Sequence, residues 1–233
     1  MSTLTPFISD AIAGLFVFTR FPQPGHTKTR LIPAVGAVGA ANLQRQMTEH
    51  LLNRFQNFCW QTSFQAEPAD QSPALALQVH FTGGTTAQML SWLGNQQTSE
   101  LAYSLVPQCS GDLGERLSFA LDRGFAKGLT PIVVVGSDCP SVDSAKITQA
   151  LALLGSHDVV IGPATDGGYY LIGLNRPCPF LFEAIPWSTE QVLETTRAIA
   201  GHHNLSIALL SPLSDIDSPE DLPLWYSLKN QHP

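Results

Sequence analysis

Four apolar runs constrain the fold of this chain more than any other feature. They lie at 13–19, 74–81, 131–136 and 159–161, and they are continuous instead of alternating with polar residues, which is typical of strands buried on both faces. Helical patterns lie between the strands, and the clearest places Leu43, Met47, Leu51, Phe55 and Phe58 on one face. This alternation predicts an α/β/α sandwich with a mostly parallel central sheet.

The remaining segments predict further elements of the same kind. Short strands are expected at 103–108, 169–174 and 207–210, and helices at 85–93, from 113 to a closing Gly128, and at 141–155. Ser141 is the expected N-cap of the last helix, and a capping-box pattern at 188–191 predicts the start of another. The polar stretch 61–73 predicts a loop. With no repeat or linker, residues 1–233 are expected to form a single domain.

Composition excludes several classes of function. The net charge of −7 opposes nucleic-acid binding, and the four cysteines lack the spacing of a zinc site or a disulfide framework. Free thiols favour a cytoplasmic protein. The apolar run at 11–18 is too short to span a membrane and has no preceding Lys or Arg, so we expect a core strand and no membrane insertion. An apolar surface could support a homodimer.

A loop after the first predicted strand concentrates positive charge. Arg20, His26, Lys28 and Arg30 lie within "TRFPQPGHTKTRL", where Gly25 permits close backbone approach. Such a loop can bind phosphate, although a solvated basic loop fits the spacing equally well.

Single acids follow two other predicted strands. Asp138 in "GSDCP" could be a ligand of Mg²⁺ or Mn²⁺, or a turn residue before the next helix. Asp166 in "GPATDGGYY" could face a ligand, or form an ordinary Asp-Gly hairpin turn with Gly167. Near the C-terminus, "SDIDSPEDL" reads as a helix start from Ser218 onward, which leaves Asp217 unexplained. Ligands of α/β sheets bind beyond the carboxyl ends of strands, so these loops predict one site.

Six motifs in order resemble a bacterial family, DUF2064, whose members are described as rSAM/selenodomain-associated transferases with a GT-A-type fold. They are "FTRFPQPGHTKTRL", "GDLGERL", "GSDCP", "GPATDGGYYLIGL", "WSTEQVLETT" and "DIDSPEDL". Some members are described as glycosyltransferases of arsenosugar biosynthesis, and the group is similar to phospholactate and molybdenum-cofactor guanylyltransferases. The chain departs from the family at Thr19-Arg20, where Ala-Lys is frequent, and at Ser218, where Thr is common.

The resemblance implies roles for the loops. Nucleotide phosphates would be held by the basic loop, with Lys28 and Arg30 taking part in catalysis, and Mg²⁺ or Mn²⁺ by Asp138 and Asp217. Asp166 would act as a base or orienting group on the acceptor side. The predicted nucleotide-binding residues are Arg20, Gly25, Lys28, Arg30 and Asp138, and the predicted acceptor-binding residues are Asp166, Gly167, Gly168 and Tyr169.

Three functions fit these features. A glycosyltransferase would move a sugar from a nucleotide-sugar to a small acceptor, which the family description favours. A nucleotidyltransferase would couple an NTP to a phosphorylated small molecule with release of pyrophosphate, and the dense basic loop suits a triphosphate. A nucleotide-binding protein without catalytic activity is the third.

Overall fold

A seven-stranded sheet runs through the part of the chain that the computed structural model describes, which is residues 12–64, 74–94 and 103–231. The strands are β1 (Ile12–Arg20), β2 (Ala74–Thr82), β3 (Ser104–Pro107), β4 (Leu129–Gly136), β5 (Val159–Pro163), β6 (Tyr169–Leu174) and β7 (Ile207–Leu209). Their order in the sheet is β3-β2-β1-β4-β6-β5-β7, and of these strands only β6 runs antiparallel to its neighbours.

Helices cover both faces of this sheet. They are α1 (Ile32–Phe64), α2 (Thr86–Leu93), α3 (Leu113–Ala126), α4 (Ser144–Leu154), α5 (Val192–His202) and α6 (Leu222–Gln231), with short 3₁₀ turns at Thr29–Leu31, Pro179–Phe182 and Pro219–Asp221. Successive side chains of β1 alternate between the faces: Leu15 and Val17 pack with α1, α2 and α4, whereas Phe16 and Phe18 pack with α3 and α5. The predicted α/β/α sandwich with a mostly parallel sheet is therefore confirmed, while its division into one domain stays a prediction.

Two predicted helix starts are wrong. The N-cap of α4 is Asp143, whose carboxylate accepts a hydrogen bond from the backbone N–H of Lys146, and Ser141 lies outside the helix. The capping-box pattern at 188–191 does not open α5 either, because Ser188 has a left-handed backbone (φ 65°) and the helix begins only at Val192.

The polar stretch predicted as a loop at 61–73 is partly helical. Helix α1 continues to Phe64, and the rest of that stretch lies outside the described residues. Near its other end α1 is interrupted at Gly36, whose φ of 72° and ψ of 164° are not helical. None of the four cysteines, all of which lie in the described ranges, forms a disulfide, as predicted. Within the described ranges, no helix is both long and apolar enough to cross a membrane.

A histidine, His80, is buried near the carboxyl end of β2, on the face of the sheet that α3 covers. The ring of His80 is 4.6 Å from that of Phe16 and 5.3 Å from that of Phe18, and only 3% of the residue is exposed. Burial lowers the pKa of His80 from 6.5 to about 4, and the positive charges of Arg123 and Lys127 add to the effect.

We expect this histidine to make the protein acid-sensitive. The unfolded chain takes up the proton near pH 6.5 and the folded protein only near pH 4, so stability is complete above the upper value and falls as the pH drops toward the lower one. Between pH 7 and pH 4.5, urea unfolding should show that the wild-type protein loses about 2 kcal/mol more than His80→Gln. The exposed His202→Gln is the control, and equal losses in wild type and His80→Gln would contradict the prediction.

Candidate active site

A cleft of about 470 Å³ opens at the carboxyl ends of β1 and β4. The start of β6 contributes to the same edge because this strand runs antiparallel. The residues that line the cleft include six from the predicted site, namely Arg20, Lys28, Arg30, Asp138, Tyr169 and Asp217. The volume lies within the range of small-molecule sites.

Local hydrogen bonds fold the basic loop back over the sheet. The hydroxyl of Thr27 donates to the carbonyl of Phe21 (3.0 Å) and accepts from the N–H of Gln23 (3.1 Å). Gly25 has a positive φ of 82°, which a glycine adopts without strain, but it does not line the cleft. Lys28 then follows in a left-handed conformation (φ 50°) and is directed inward.

The ammonium group of Lys28 joins two of the acidic loops. Its Nζ lies 2.9 Å from Oδ1 of Asp138 and 3.4 Å from Oδ1 of Asp217, and it donates to the carbonyl of Ile216 at 2.7 Å. Burial by itself would lower the pKa of Lys28, but the charges of Asp138 and Asp217 outweigh it and raise the pKa above its usual value. Lys28 is thus a charged group in this structure, and carboxylates hold it.

Arg30 lies at the mouth of the cleft. Its guanidinium pairs with Oδ2 of Asp217 at 2.6 Å, yet 71% of its side chain is exposed. An exposed pair of this kind contributes little to stability. Arg30 is therefore accessible to a ligand that enters the cleft, as the prediction for this residue requires.

The carboxylate of Asp217 contacts different groups from the carboxylate of Asp221. Asp221 accepts hydrogen bonds at Oδ2 from the N–H groups of Asp217 (3.0 Å) and Ser218 (2.7 Å), so the helix-start explanation is confirmed for Ser218 and Asp221. The carboxylate of Asp217 takes no part in this cap and instead contacts Lys28 and Arg30.

Ile216 anchors the segment that carries these acids. It is fully buried against α1 and α6, in a cluster with Leu31 and Met47, and its N–H donates to the carbonyl of Asp138 at 2.8 Å. This contact links the C-terminal segment to the loop after β4, although the two are far apart in sequence.

Asp215 belongs to the site, and sequence reasoning missed it. It lines the cleft, and its Oδ1 is buried without a hydrogen-bond partner. The sequence "DID" contains a signal that could have identified it, because an apolar residue stands between two acids. In an extended segment, residues two apart face the same side, so Asp215 and Asp217 face away from the buried Ile216.

The surroundings of Asp215 reveal how the acids are grouped. Its pKa is raised to about 7, first by burial and then by the negative charges of Asp138 and Asp166, while the charge of Lys28 opposes the shift. The influence of Asp166 means that its charge acts on the same cluster, although it does not line the cleft.

The predicted acceptor loop is a hairpin turn beside the cleft. Oδ1 of Asp166 accepts a hydrogen bond from the N–H of Gly168 (2.9 Å), and Gly167 has φ 90° with the backbone of Glu190 so close that no side chain fits there. Of the four residues predicted to bind the acceptor, only Tyr169 lines the cleft. Their role in acceptor binding stays a prediction.

The carboxylates provide suitable donors for a divalent ion. Three acids (Asp138, Asp215 and Asp217) line the cleft together with three cations (Arg20, Lys28 and Arg30), and the charge of Asp166 acts on the same cluster. Hard oxygen donors of this type fit Mg²⁺ or Mn²⁺. In the described part of the chain, no three His, Cys, Asp or Glu residues are placed to hold a metal by themselves. Asp138 and Asp217 would therefore need further oxygen ligands from water or from a bound phosphate.

A buried polar network supports the floor of the cleft. The Gln44 amide of α1 donates to the hydroxyl of Ser137 at 2.8 Å, and the amide nitrogen is also 3.3 Å from the hydroxyls of Thr19 and Thr48. Each of these residues is at most 5% exposed. The network joins the ends of β1 and β4, immediately before the basic loop and Asp138.

The fold and the chain's family follow from comparison with known proteins. The arrangement of sheet and helices is that of the nucleotide-diphospho-sugar transferases. Residues 65–189 match the family described as "Uncharacterized protein conserved in bacteria (DUF2064)", and the chain belongs to this family. A search of curated proteins found none that matches.

Solved structures resemble the chain over nearly its whole length. A protein from Desulfovibrio desulfuricans G20, provisionally described as a nucleotide-diphospho-sugar transferase, is 29% identical with a TM-score of 0.79, over 94% of this chain and 88% of that one. CMP:2-keto-3-deoxy-manno-octonic acid synthetase in complex with CTP has a TM-score of 0.57 at 9% identity, over 96% and 100% of the two chains. Rv0371c from Mycobacterium tuberculosis H37Rv in complex with manganese has a TM-score of 0.50 at 13% identity, over 92% and 97%. The last two similarities are similarities of fold.

We expect the Gln44 network to contribute measurably to stability. Gln44→Leu removes the buried donor to Ser137 and leaves polar groups without a partner, which should lower the free energy of unfolding by about 1–3 kcal/mol. Gln46→Leu on the exposed side of the same helix is the matched control. Urea denaturation provides the measurement, and equal stabilities of the two variants would contradict the expectation.

Proposed function

We propose that the protein is a transferase that uses a nucleotide-activated donor, and specifically a glycosyltransferase that moves a sugar from a nucleotide-sugar to a small acceptor. The observation that carries the proposal is the cleft at the carboxyl edge of the sheet, where Lys28, Arg30 and Arg20 face Asp138 and Asp217. The 29% identical structure provisionally described as a nucleotide-diphospho-sugar transferase supports this assignment.

The donor diphosphate would lie against the basic loop. Arg30 is exposed at the mouth of the cleft and presents a planar fork that suits phosphate oxygens, while Lys28 offers a compact charge deeper inside. Asp138 and Asp217 would hold Mg²⁺ or Mn²⁺. When bound, such an ion neutralises charge on the departing diphosphate.

The acceptor would approach from the side of the hairpin between β5 and β6. Asp166 is exposed there, so its carboxylate can orient an acceptor hydroxyl or accept its proton. Tyr169 lines the adjoining wall of the cleft, and Gly167 and Gly168 would offer backbone groups to the acceptor beside it. Lys28 is the buried cation of the cleft, so the reacting groups would meet near this end of the basic loop.

A nucleotidyltransferase is the second candidate. Three cations of the basic loop line one cleft, which is enough positive charge for a triphosphate. Two structural neighbours, both under 25% identical, are described as CMP:2-keto-3-deoxy-manno-octonic acid synthetase in complex with CTP and, provisionally, as a glucose-1-phosphate thymidylyltransferase. In this case an acceptor phosphate would attack the α-phosphorus, and the basic loop would hold the pyrophosphate that leaves.

Product analysis separates these functions. The purified protein is incubated with Mg²⁺ or Mn²⁺, a panel of nucleotide-sugars and NTPs, and a broad panel of hydroxyl and phosphate acceptors. We expect release of nucleoside diphosphate, whereas release of pyrophosphate would establish the second candidate. Binding of a nucleotide without turnover of any donor would contradict both and leave a binding protein.

The role of Asp138 is tested with the donor that is turned over. Asp138→Asn removes one carboxylate charge without changing the side-chain shape, and we expect the rate of transfer to fall by about 100-fold or more. Asp122→Asn, an exposed position on α3 away from the cleft, is the matched control. A rate that Asp138→Asn leaves unchanged would exclude this residue from the site.

A further inference from the structure

Lys28 occupies the point at which the acidic loops converge. Oxygen atoms of Asp138, Asp217 and Ile216 lie 2.7–3.4 Å from its Nζ, and they come from two different loops. Only 3% of the Lys28 side chain is exposed, whereas the two carboxylates are 50% and 45% exposed. The ammonium therefore sits beneath the carboxylates, and the oxygen atoms around it form a binding shell for one cation.

Binding of a divalent ion beside Lys28 is electrostatically unfavourable. An ion bound by the carboxylates of Asp138 and Asp217 would lie within a few ångströms of the ammonium, and like charges at that separation repel strongly in a partly buried site. Moving Lys28 toward a new anion removes the conflict. Its flexible stem allows such a movement without displacing the sheet.

We propose that Lys28 is an internal counter-ion that competes with the divalent cation for Asp138 and Asp217. In the protein without donor, the ammonium satisfies the carboxylates and weakens metal binding. When the phosphates of the donor draw the ammonium away, the carboxylates become free to bind the ion. Lys28 thereby couples metal binding to donor binding, and this inference rests on the proposed function.

The coupling has a direction that a purely structural lysine would not produce. If Lys28 merely organised the two carboxylates, its removal would weaken metal binding. If it competes with the ion, removal strengthens metal binding while donor binding becomes weaker, because the same ammonium is lost as a phosphate ligand. Coupling between metal binding and donor binding is reciprocal, so the change in metal affinity and the change in donor affinity can each be measured.

Mn²⁺ binding to the donor-free protein provides the test, measured by electron paramagnetic resonance of the free ion. We expect Lys28→Met to bind Mn²⁺ about tenfold more tightly than wild type, and Lys28→Arg, which keeps the charge, to remain close to wild type. Arg30→Met is the matched control: it also removes a cation that contacts Asp217, but an exposed and screened one, and should change the affinity far less. Pyrophosphate binding in Mg²⁺ should weaken in Lys28→Met by about tenfold.

Each outcome has a separate meaning. Equal or weaker Mn²⁺ binding in Lys28→Met overturns the competition and leaves the proposed transferase activity untouched. Absence of Mn²⁺ binding in every variant overturns the competition and also removes the metal from the proposed function, whose turnover assay stands apart. Tighter Mn²⁺ binding in Lys28→Met without turnover of any donor would support the competition while the proposed function fails.

A measurement on the wild-type protein covers the case in which Lys28→Met does not fold. In a sample labelled with ¹⁵N-lysine, the ammonium signal of Lys28, identified through Lys28→Arg, should move when Mg²⁺ and pyrophosphate are added. A signal that stays unchanged while both ligands bind would overturn the proposal.

Discussion

The contact of one ammonium group with two carboxylates organises the edge of the sheet on which this site is built. Lys28 reaches from the loop after β1 to Asp138 after β4 and to Asp217 after β7, so three segments distant in sequence share one charge centre. A cation buried to this extent is stable only because its oxygen partners compensate for the lost hydration. The positions of the three loops therefore depend on one another.

Apolar and polar anchors hold the partners of Lys28 in place. Ile216 packs against α1 and α6 and donates its N–H to Asp138, which sets the acids on either side of it at the cleft. Beneath the cleft, Gln44 joins β1 to β4 through hydroxyl groups. The buried network forms the floor of the site, Arg30 is exposed at its mouth, and Asp166 is exposed on the hairpin beside it.

The balance of charge connects the proposed function with the proposed competition. Three carboxylates and three cations line the cleft, and the charge of Asp166 acts on the same cluster. A divalent ion would compete with the cations for the carboxylates, whereas a diphosphate would need the cations that now neutralise the acids. Metal and donor are thus expected to bind better together than either does alone, because each brings the charge that the other leaves uncompensated.

The sequence by itself determined the α/β/α architecture, because buried strands and amphipathic helices leave periodic patterns that need no tertiary information. It also placed the basic loop and three of the acids at one edge, since strands of a parallel sheet end together. The sequence wrongly predicted helix starts at Ser141 and Ser188, because several neighbouring polar residues can precede a helix, and the packed chain begins the two helices after Asp143 and Gln191. Sequence reasoning also missed Asp215. Only the tertiary structure decided that Lys28 contacts Asp138 and Asp217. Ion pairs between residues far apart in sequence depend on how the loops converge in the folded chain, and the local spacing of residues does not encode that convergence.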